Sequence, residues 1–548
     1  MAAKIDKTRP HQRFAFHDYE TLNIDNKTTQ GAAKPIEYAG IITDIDLNEV
    51  PDGRHHKIIK PPIDVIGNPN AFLVHGVDPE MAEKVGVSEF EFAEWIGQLY
   101  GKDGTVIAGY NSIKFDSEVT RHTRFRNLLP SYTPEFENGN FQLDVMKVVM
   151  MAYSMSPGVL NFPKKDDGND SLRLEDLTAA NGIDHKDAHS ALSDVEATIN
   201  LAKLIKERNP QLWHYALWLT NKRNVEPLLD KNEMLFYTDT TIGQKTRYTS
   251  VMHPLVVDSK IGSKYICIDL NSEDLDIVFD ESPEKLNEYI FTSKQEQGSN
   301  YRATPFLNLT TNKAPIVIPA SERAIKNMSD DMGFDLERIQ KNFSRIKKGG
   351  EEIKQKAQQT MASEGMEPPK SSAHRLYFLP GFPSTPTNKL LGRQHAKDDN
   401  GVTTLRNANI ANLAKKTDFP EIFYDLALQA KYRTWPRELM RDPDVSPAEF
   451  VDFVDYLDEK LNKGIDGTYT FSEYEDDRAA ISKRHVLTDA EKHVLGNLDK
   501  QTKGQQDLLE AMKMRAEELR PAAEAEKKKS PDYKALRFKT QGPSGPGM

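Results

Sequence analysis

A chain of 548 residues exceeds what one hydrophobic core supports and implies roughly two to four domains. Its 38% hydrophobic and 28% charged residues suit a soluble globular protein; no apolar run approaches the roughly 20 residues that span a bilayer, and the charged start MAAKIDKTRPHQR lacks a secretory apolar segment. The single cysteine, Cys267, excludes an internal disulfide framework and any CxxC metal site and points to a cytoplasmic setting, while 72 basic against 83 acidic residues exclude nucleic-acid coating by overall charge but not a local basic groove.

Residues 1–13 read as a disordered lead-in. Between 14 and 210, strands and helices alternate: Phe14-Ala-Phe16 starts a strand, Ala39–Thr43 forms another, Phe90–Leu99 is helical in pattern, and Val106–Tyr110 is a short buried strand. After Leu192 the apolar positions Val195, Ile199 and Ala202 recur at helical spacing, so this region is expected to be an α/β domain around a central sheet. From 211 to 350, runs such as Lys264–Asp269 and Ala314–Ile318 alternate with turn formers, predicting a small β-rich domain. The stretch 347–372, rich in Lys, Glu, Gln, Gly and Pro, reads as a linker, bounded at 351–372; residues 373–520 are helical in pattern, and 521–548 reads as a disordered tail.

Three stretches carry chemistry. In Phe14–Thr21, Asp18 and Glu20 stand two apart on a strand and share a face, so their carboxylates repel unless a cation lies between them. A hard divalent ion that takes oxygen ligands resolves the conflict, although DxE alone also suits a solvated strand end. In Val106–Asp116 a buried strand runs into a polar turn, with Asp116 ready to start or cap the next helix. In Ala188–Asp194, five residues turn an ideal helix by about 140°, so His189 and Asp194 converge only if His189 lies in the loop before the helix.

Taken together, HDYET, NSIKFD and AHSALSD resemble the three motifs of the DEDD exonucleases, in the subgroup with a histidine five residues before the last Asp. The DYET form, with GYNSIKFDSEVTR (109–121), SLRLEDLTAANGIDHKDAHSALSDVEATINLAKLIK (171–206), NLTTNKAPIV (308–317) and KYRTWP (431–436), resembles the bacterial exonuclease I family over about 14–520. The resemblance implies a ribonuclease-H-like α/β exonuclease domain, a small β-rich Src-homology-three-like domain and an α-helical C-terminal domain around a basic channel that makes digestion processive. It implies 3′→5′ hydrolysis of single-stranded DNA to nucleoside 5′-monophosphates, in DNA repair and recombination. Two Mg²⁺ ions, with Mn²⁺ as a substitute, would be held by Asp18, Glu20 and Asp194 with Asp116 close in, and His189 would be the general base.

For the substrate, the resemblance points to Glu20, to Arg173, and to Lys313 beside Asn312 on the DNA path. Arg121, Arg124 and Arg126 are spaced for phosphates, Lys147 adds a phosphate contact, and Tyr132 and Phe136 are candidate stacking platforms in a Pro-containing loop. His75, in Val74-His75-Gly76-Val77, stands where the family typically reads T-G-I near the 3′-terminal nucleotide. The implied partner besides DNA is the acidic C-terminal tail of single-stranded-DNA-binding protein, with the chain a monomer free of membranes. The rival readings are a related exoribonuclease or proofreading exonuclease, disfavoured by DYET and the extra domains, and a silent single-strand-binding scaffold, disfavoured because all five site residues are present. No GxxxxGK, GxGxxG, GxSxG or HExxH occurs to support other chemistry.

Overall fold

The computed structural model describes residues 13–23, 33–185, 190–292, 304–361, 420–434, 445–465, 468–484 and 486–529, with short pieces between 387 and 443. Strand β1 (Arg13–Thr21) alternates strictly: Phe14 and Phe16 point to one face, Ala15, His17 and Tyr19 to the other, and all five are buried. It lies at the centre of a five-stranded sheet with β2 (Pro35–Thr43), β3 (Glu49–Ile58), β4 (Thr105–Gly109) and β5 (Phe141–Asp144), in the order β3-β2-β1-β4-β5. β2 and β3 run antiparallel to their neighbours, whereas β1, β4 and β5 are mutually parallel.

Each face of β1 is covered by a helix whose apolar spacing matches it. The Phe14 and Phe16 face lies in one core with Ala191, Val195, Leu201 and Ile205 of the helix Ala191–Arg208. The Ala15 and Tyr19 face lies against Phe92, Ile96 and Tyr100 of the helix Glu89–Tyr100, which a Ser88–Glu91 capping box starts. Burying each Val, Leu, Ile or Phe side chain among these contributes about 1.5–3 kcal/mol.

A second, antiparallel sheet has the order β10-β6-β7-β8-β9, from β6 (Leu235–Thr238), β7 (Thr249–Val257), β8 (Lys264–Asp269), β9 (Phe306–Thr310) and β10 (Ile316–Pro319). Leu235, Met252, Cys267 and Ile316 share a core with Phe14 and Trp213, so the two sheets are joined by continuous apolar packing.

Two sequence expectations are corrected. The stretch expected to be a linker is helical through its first part: the helix Leu336–Met361 kinks at Gly350 (φ +50°) and continues. Ile353, Ala357 and Met361 recur at helical spacing and bury against the second sheet, while Glu351, Glu352, Lys354 and Gln355 are exposed. The expected disordered tail likewise begins too early, because the helix Asp489–Lys529 runs past 521. Ala523 is buried, the Glu526 carboxylate accepts hydrogen bonds from the Ser446 hydroxyl and the Ala448 N–H, and Lys527 pairs with Asp452 at 2.9 Å. Charges that look solvated in one dimension thus find partners in the helix Pro447–Lys463. Residues 530–548 and 1–12 lie outside the described residues.

The C-terminal helices are tied to the first sheet by apolar packing and buried charge. Tyr432, Phe450, Phe453 and Leu498 share a core with Leu22, Ile36, Phe72 and Phe125. Beside it, Asp64 accepts from Lys460 (2.7 Å) and Arg433 (3.1 Å), and Arg433 reaches Glu89 (3.2 Å), which also binds Arg126 (2.6 Å). Burial alone would raise the Asp64 pKa, but Arg433 and Lys460 hold it well below the usual carboxylate range. Asp64→Ala leaves buried Lys460 without its carboxylate and Arg433 with Glu89 alone, and should cost about 3–5 kcal/mol. Thermal unfolding should report a clear fall in Tm, whereas removal of an exposed carboxylate such as Asp103 should change stability by about 0.5 kcal/mol or less.

Candidate active site

The alternation that buries Phe14 and Phe16 carries Asp18 and Glu20 out on the same face, beyond the apolar part of β1. The helix that covers this face starts at Ala191, so Asp194, in its first turn, comes down over them. One carboxylate oxygen from each of Asp18, Glu20 and Asp194 lies within 4.8 Å of the others. Asp116 is buried as the first residue of the helix Asp116–Arg126, and its Oδ1 has no hydrogen-bond partner. Across the sheet, Glu37 stands in register with Glu20.

Burial, Asp18, Glu37 and Asp194 together push the Glu20 pKa up to about 9. Burial, Asp194 and Glu37 raise that of Asp18, and burial with Asp18 raises that of Asp116, both well above the usual range. Carboxylates this close are stable only if protonated or neutralised by a cation. An all-oxygen donor set, with the unpartnered buried Asp116 oxygen on a group that interacts with Asp18, fits a hard divalent ion.

The second motif is held by a residue that sequence reading passed over. Asp144, at the end of β5, accepts hydrogen bonds from the N–H groups of Asn111 (2.9 Å), Ile113 (3.4 Å) and Met146 (3.0 Å). It thereby fixes the turn between β4 and Asp116, in which Asn111 takes a left-handed conformation (φ +57°). Gly109 is required where this turn leaves β4, since a Cβ there would lie 2.8 Å from the His17 carbonyl oxygen. The signal that could have found it is local: an Asp directly before a helix start is a capping residue, and Asp144 caps the helix Val145–Met155.

His189 lies outside the described residues. His185 is described, and it too was passed over: its Nε2 lies 2.5 Å from Asp194 Oδ1 and its Nδ1 3.2 Å from Thr178 Oγ1.

The expected phosphate contacts divide. Arg121, Arg124 and Arg126 are buried and do not line an open groove. Arg121 pairs with Glu118 (2.7 Å) and Glu135 (2.6 Å), Arg124 donates to the carbonyls of Ala93 and Pro130, and Arg126 pairs with Glu89. Their helix is buried along its whole length, so its basic residues neutralise interior carboxylates instead of facing solvent. Tyr132 is half-buried with the Arg121 guanidinium 5.2 Å from its ring centre, so one side of this stacking candidate is taken. Lys147 donates to the Lys313 carbonyl (2.6 Å) and bridges the two sheets.

Phe136 (64% exposed) and the Arg173 side chain (72%) do face solvent, and Lys313 is half-exposed, 3.9 Å from Glu118. His75 accepts the Val77 N–H at Nδ1 (3.0 Å), and burial lowers its pKa to about 4, which keeps it uncharged.

Two outcomes are expected. Arg121→Ala should lower Tm by taking the paired cation from buried Glu135 and one of the partners of Glu118, and should leave the salt dependence of DNA affinity, a readout of phosphate contacts, unchanged. In EDTA, stability should decline as pH rises from the ordinary glutamate value of 4.5 towards about 9, because the folded chain holds protons there that the unfolded chain releases. Asp18→Asn should flatten this decline and raise the Tm of the metal-free chain, measured by calorimetry across that range.

Residues 15–202 match the exonuclease family, and residues 220–363 match the exonuclease I SH3-like domain. The chain is 34% identical over 310 residues to exodeoxyribonuclease I of Escherichia coli (strain K12), covering 56% of this chain and 64% of that one. It is 32% identical over 337 residues to exodeoxyribonuclease I of Haemophilus influenzae, covering 61% of this chain and 70% of that one. The sequence match therefore spans slightly less than two thirds of the Escherichia coli enzyme.

The fold match is longer. A moderately thermophilic exonuclease I from Methylocaldum szegediense superposes with TM-score 0.77 at 27% identity, covering 90% of this chain and 99% of that one. The zinc-bound Escherichia coli exonuclease I complex with single-stranded DNA gives 0.77 at 25% identity with the same coverage. A structure of SSB and exonuclease I with the inhibitor CFAM gives 0.71 at 25% identity, covering 93% of this chain and 100% of that one.

Proposed function

The chain belongs to the exonuclease I family, and we propose that it hydrolyses single-stranded DNA from the 3′ end, releasing nucleoside 5′-monophosphates processively. The observation that carries this reading is the convergence of Asp18, Glu20 and Asp194 at the end of the central strand of a ribonuclease-H-like sheet. Asp18, Glu20 and Asp194 would hold divalent cations, in our reading two Mg²⁺ that Mn²⁺ can replace, and Asp116 would add negative charge through its interaction with Asp18. When bound, such ions polarise the phosphate and neutralise charge that develops on it.

The chain's own residues do the rest. His189, in the AHSALSD motif, takes a proton from the attacking water, a task suited to a group titrating near neutral pH. The water oxygen bonds to phosphorus, the bond from phosphorus to O3′ of the preceding nucleotide breaks, that oxygen takes a proton from solvent to become the new 3′-hydroxyl, and the phosphate leaves on the 5′ oxygen of the released nucleotide. Arg173 and Lys313 contact the DNA backbone, exposed Phe136 offers a face for a base, and neutral His75 contributes by shape and hydrogen bonding at the 3′ end. The SH3-like sheet and the C-terminal helices close the channel that keeps the product end threaded. SSB is the proposed protein partner, through its acidic C-terminal tail, and the chain acts as a cytoplasmic monomer in repair and recombination. No helix among the described residues is long and apolar enough to cross a membrane.

Digestion of a 5′-labelled single strand with Mg²⁺ or EDTA, beside matched RNA and blunt duplex, tests the reading. A Mg²⁺-dependent ladder shortening from the 3′ end on single-stranded DNA alone is expected. Equal or faster loss of RNA would move the chain to the exoribonucleases, and no cleavage would make it a silent scaffold. His189→Ala should lower kcat by about 10²–10⁴ without loss of fold, and Asp18→Ala should abolish turnover.

A further inference from the structure

We propose that His185 is a positioning residue that fixes the Asp194 carboxylate for cation binding, an inference that rests on the reading of Asp18, Glu20 and Asp194 as metal ligands. The His185 side chain is 4% exposed and spans two groups: Nε2 is 2.5 Å from Asp194 Oδ1, and Nδ1 is 3.2 Å from Thr178 Oγ1. Thr178 is a firm anchor. It is buried in the helix Leu174–Ala180, and its Oγ1 lies 2.9 Å from the carbonyl oxygens of both Leu174 and Glu175.

The turn that follows aims the ring. Gly182 adopts φ +70°, where a side chain would be strained, and the Ile183 N–H donates back to the Thr178 carbonyl at 2.9 Å. This folds the chain over the end of the helix and brings His185 back to the residue that anchors it.

Asp194 needs such a partner. It is a short side chain in the first turn of its helix, facing two carboxylates that repel it, and rotation away from them would relieve that repulsion. A hydrogen bond at Oδ1 opposes the rotation and leaves Oδ2 for a cation. His185 acts through Asp194, whereas His189, four residues further on, acts on the reacting water. Partners that orient a ligating carboxylate typically set metal affinity by about 10–100-fold.

The test is a calorimetric titration of the DNA-free protein with Mn²⁺, beside the Mn²⁺ dependence of hydrolysis and the Tm in EDTA. His185→Phe keeps an aromatic ring and removes the hydrogen-bonding nitrogens; it should weaken Mn²⁺ binding by about 10–100-fold and raise the Mn²⁺ concentration for half-maximal rate in parallel. His185→Gln keeps a donor and should recover part of the affinity. Should His185→Phe fail to fold, His185→Gln and Thr178→Val, which removes the anchor, carry the same comparison against wild type. Lower Tm and lower kcat with unchanged Mn²⁺ affinity would reduce His185 to a packing role and overturn the proposal. Asp18→Ala separates the two readings: lost Mn²⁺ binding there with unchanged binding in His185→Phe sinks the positioning role alone, while intact binding in both sinks the metal site itself.

Discussion

Everything about this molecule turns on the mutual repulsion of carboxylates at the end of β1. One carboxylate oxygen from each of Asp18, Glu20 and Asp194 lies within 4.8 Å of the others, Asp116 is buried, and Glu37 stands in register with Glu20. Left to themselves these groups would separate or stay protonated, and burial, reinforced by this repulsion, raises the pKa values of Asp18, Glu20 and Asp116. The fold holds them together because each is carried by an element anchored elsewhere: β1 through Phe14 and Phe16, the covering helix through Val195 and Leu201, and the Asp116 turn through Asp144. Apolar burial far from the site supplies the free energy that the charged end consumes.

The same economy of charge explains the basic residues. A helix carrying Arg121, Arg124 and Arg126 looks like a nucleic-acid surface, but each guanidinium is engaged inside the protein. Glu89 is shared between Arg126 and Arg433, and Asp64 between Arg433 and Lys460, so interior charge is balanced across the junction of the first sheet and the C-terminal helices. Such pairs add little net stability over apolar packing. They are costly to break singly, which makes the junction specific.

Much of the site was legible because its chemistry is local in sequence. Asp18 and Glu20 two apart on a strand, Asp116 after a buried strand and Asp194 at a helix start all follow from periodicity, and DYET with its neighbouring motifs resembled one family strongly enough to imply the fold. Three things were not legible. Arg121 could not be told from a solvated arginine, since its partner Glu135 lies outside its own helix. Asp144 and His185 act through hydrogen bonds to residues 33 and 9 positions away, with no periodic pattern to mark them. The linker and tail readings failed because composition records polarity but not which face of a helix Ile353 or Ala523 turns inward.

The sequence by itself determined the strands and helices, the pairing of Asp18 with Glu20 on one face, and the family, because these depend on side-chain periodicity and short motifs. Only the tertiary structure decided which charges meet. It seated Asp194 over β1, turned His185 onto Asp194, and consigned the arginine-rich helix to the interior. Hydrogen-bonded ion pairs and metal sites need their groups within a few ångströms, and which groups come that close is a property of packing between distant segments.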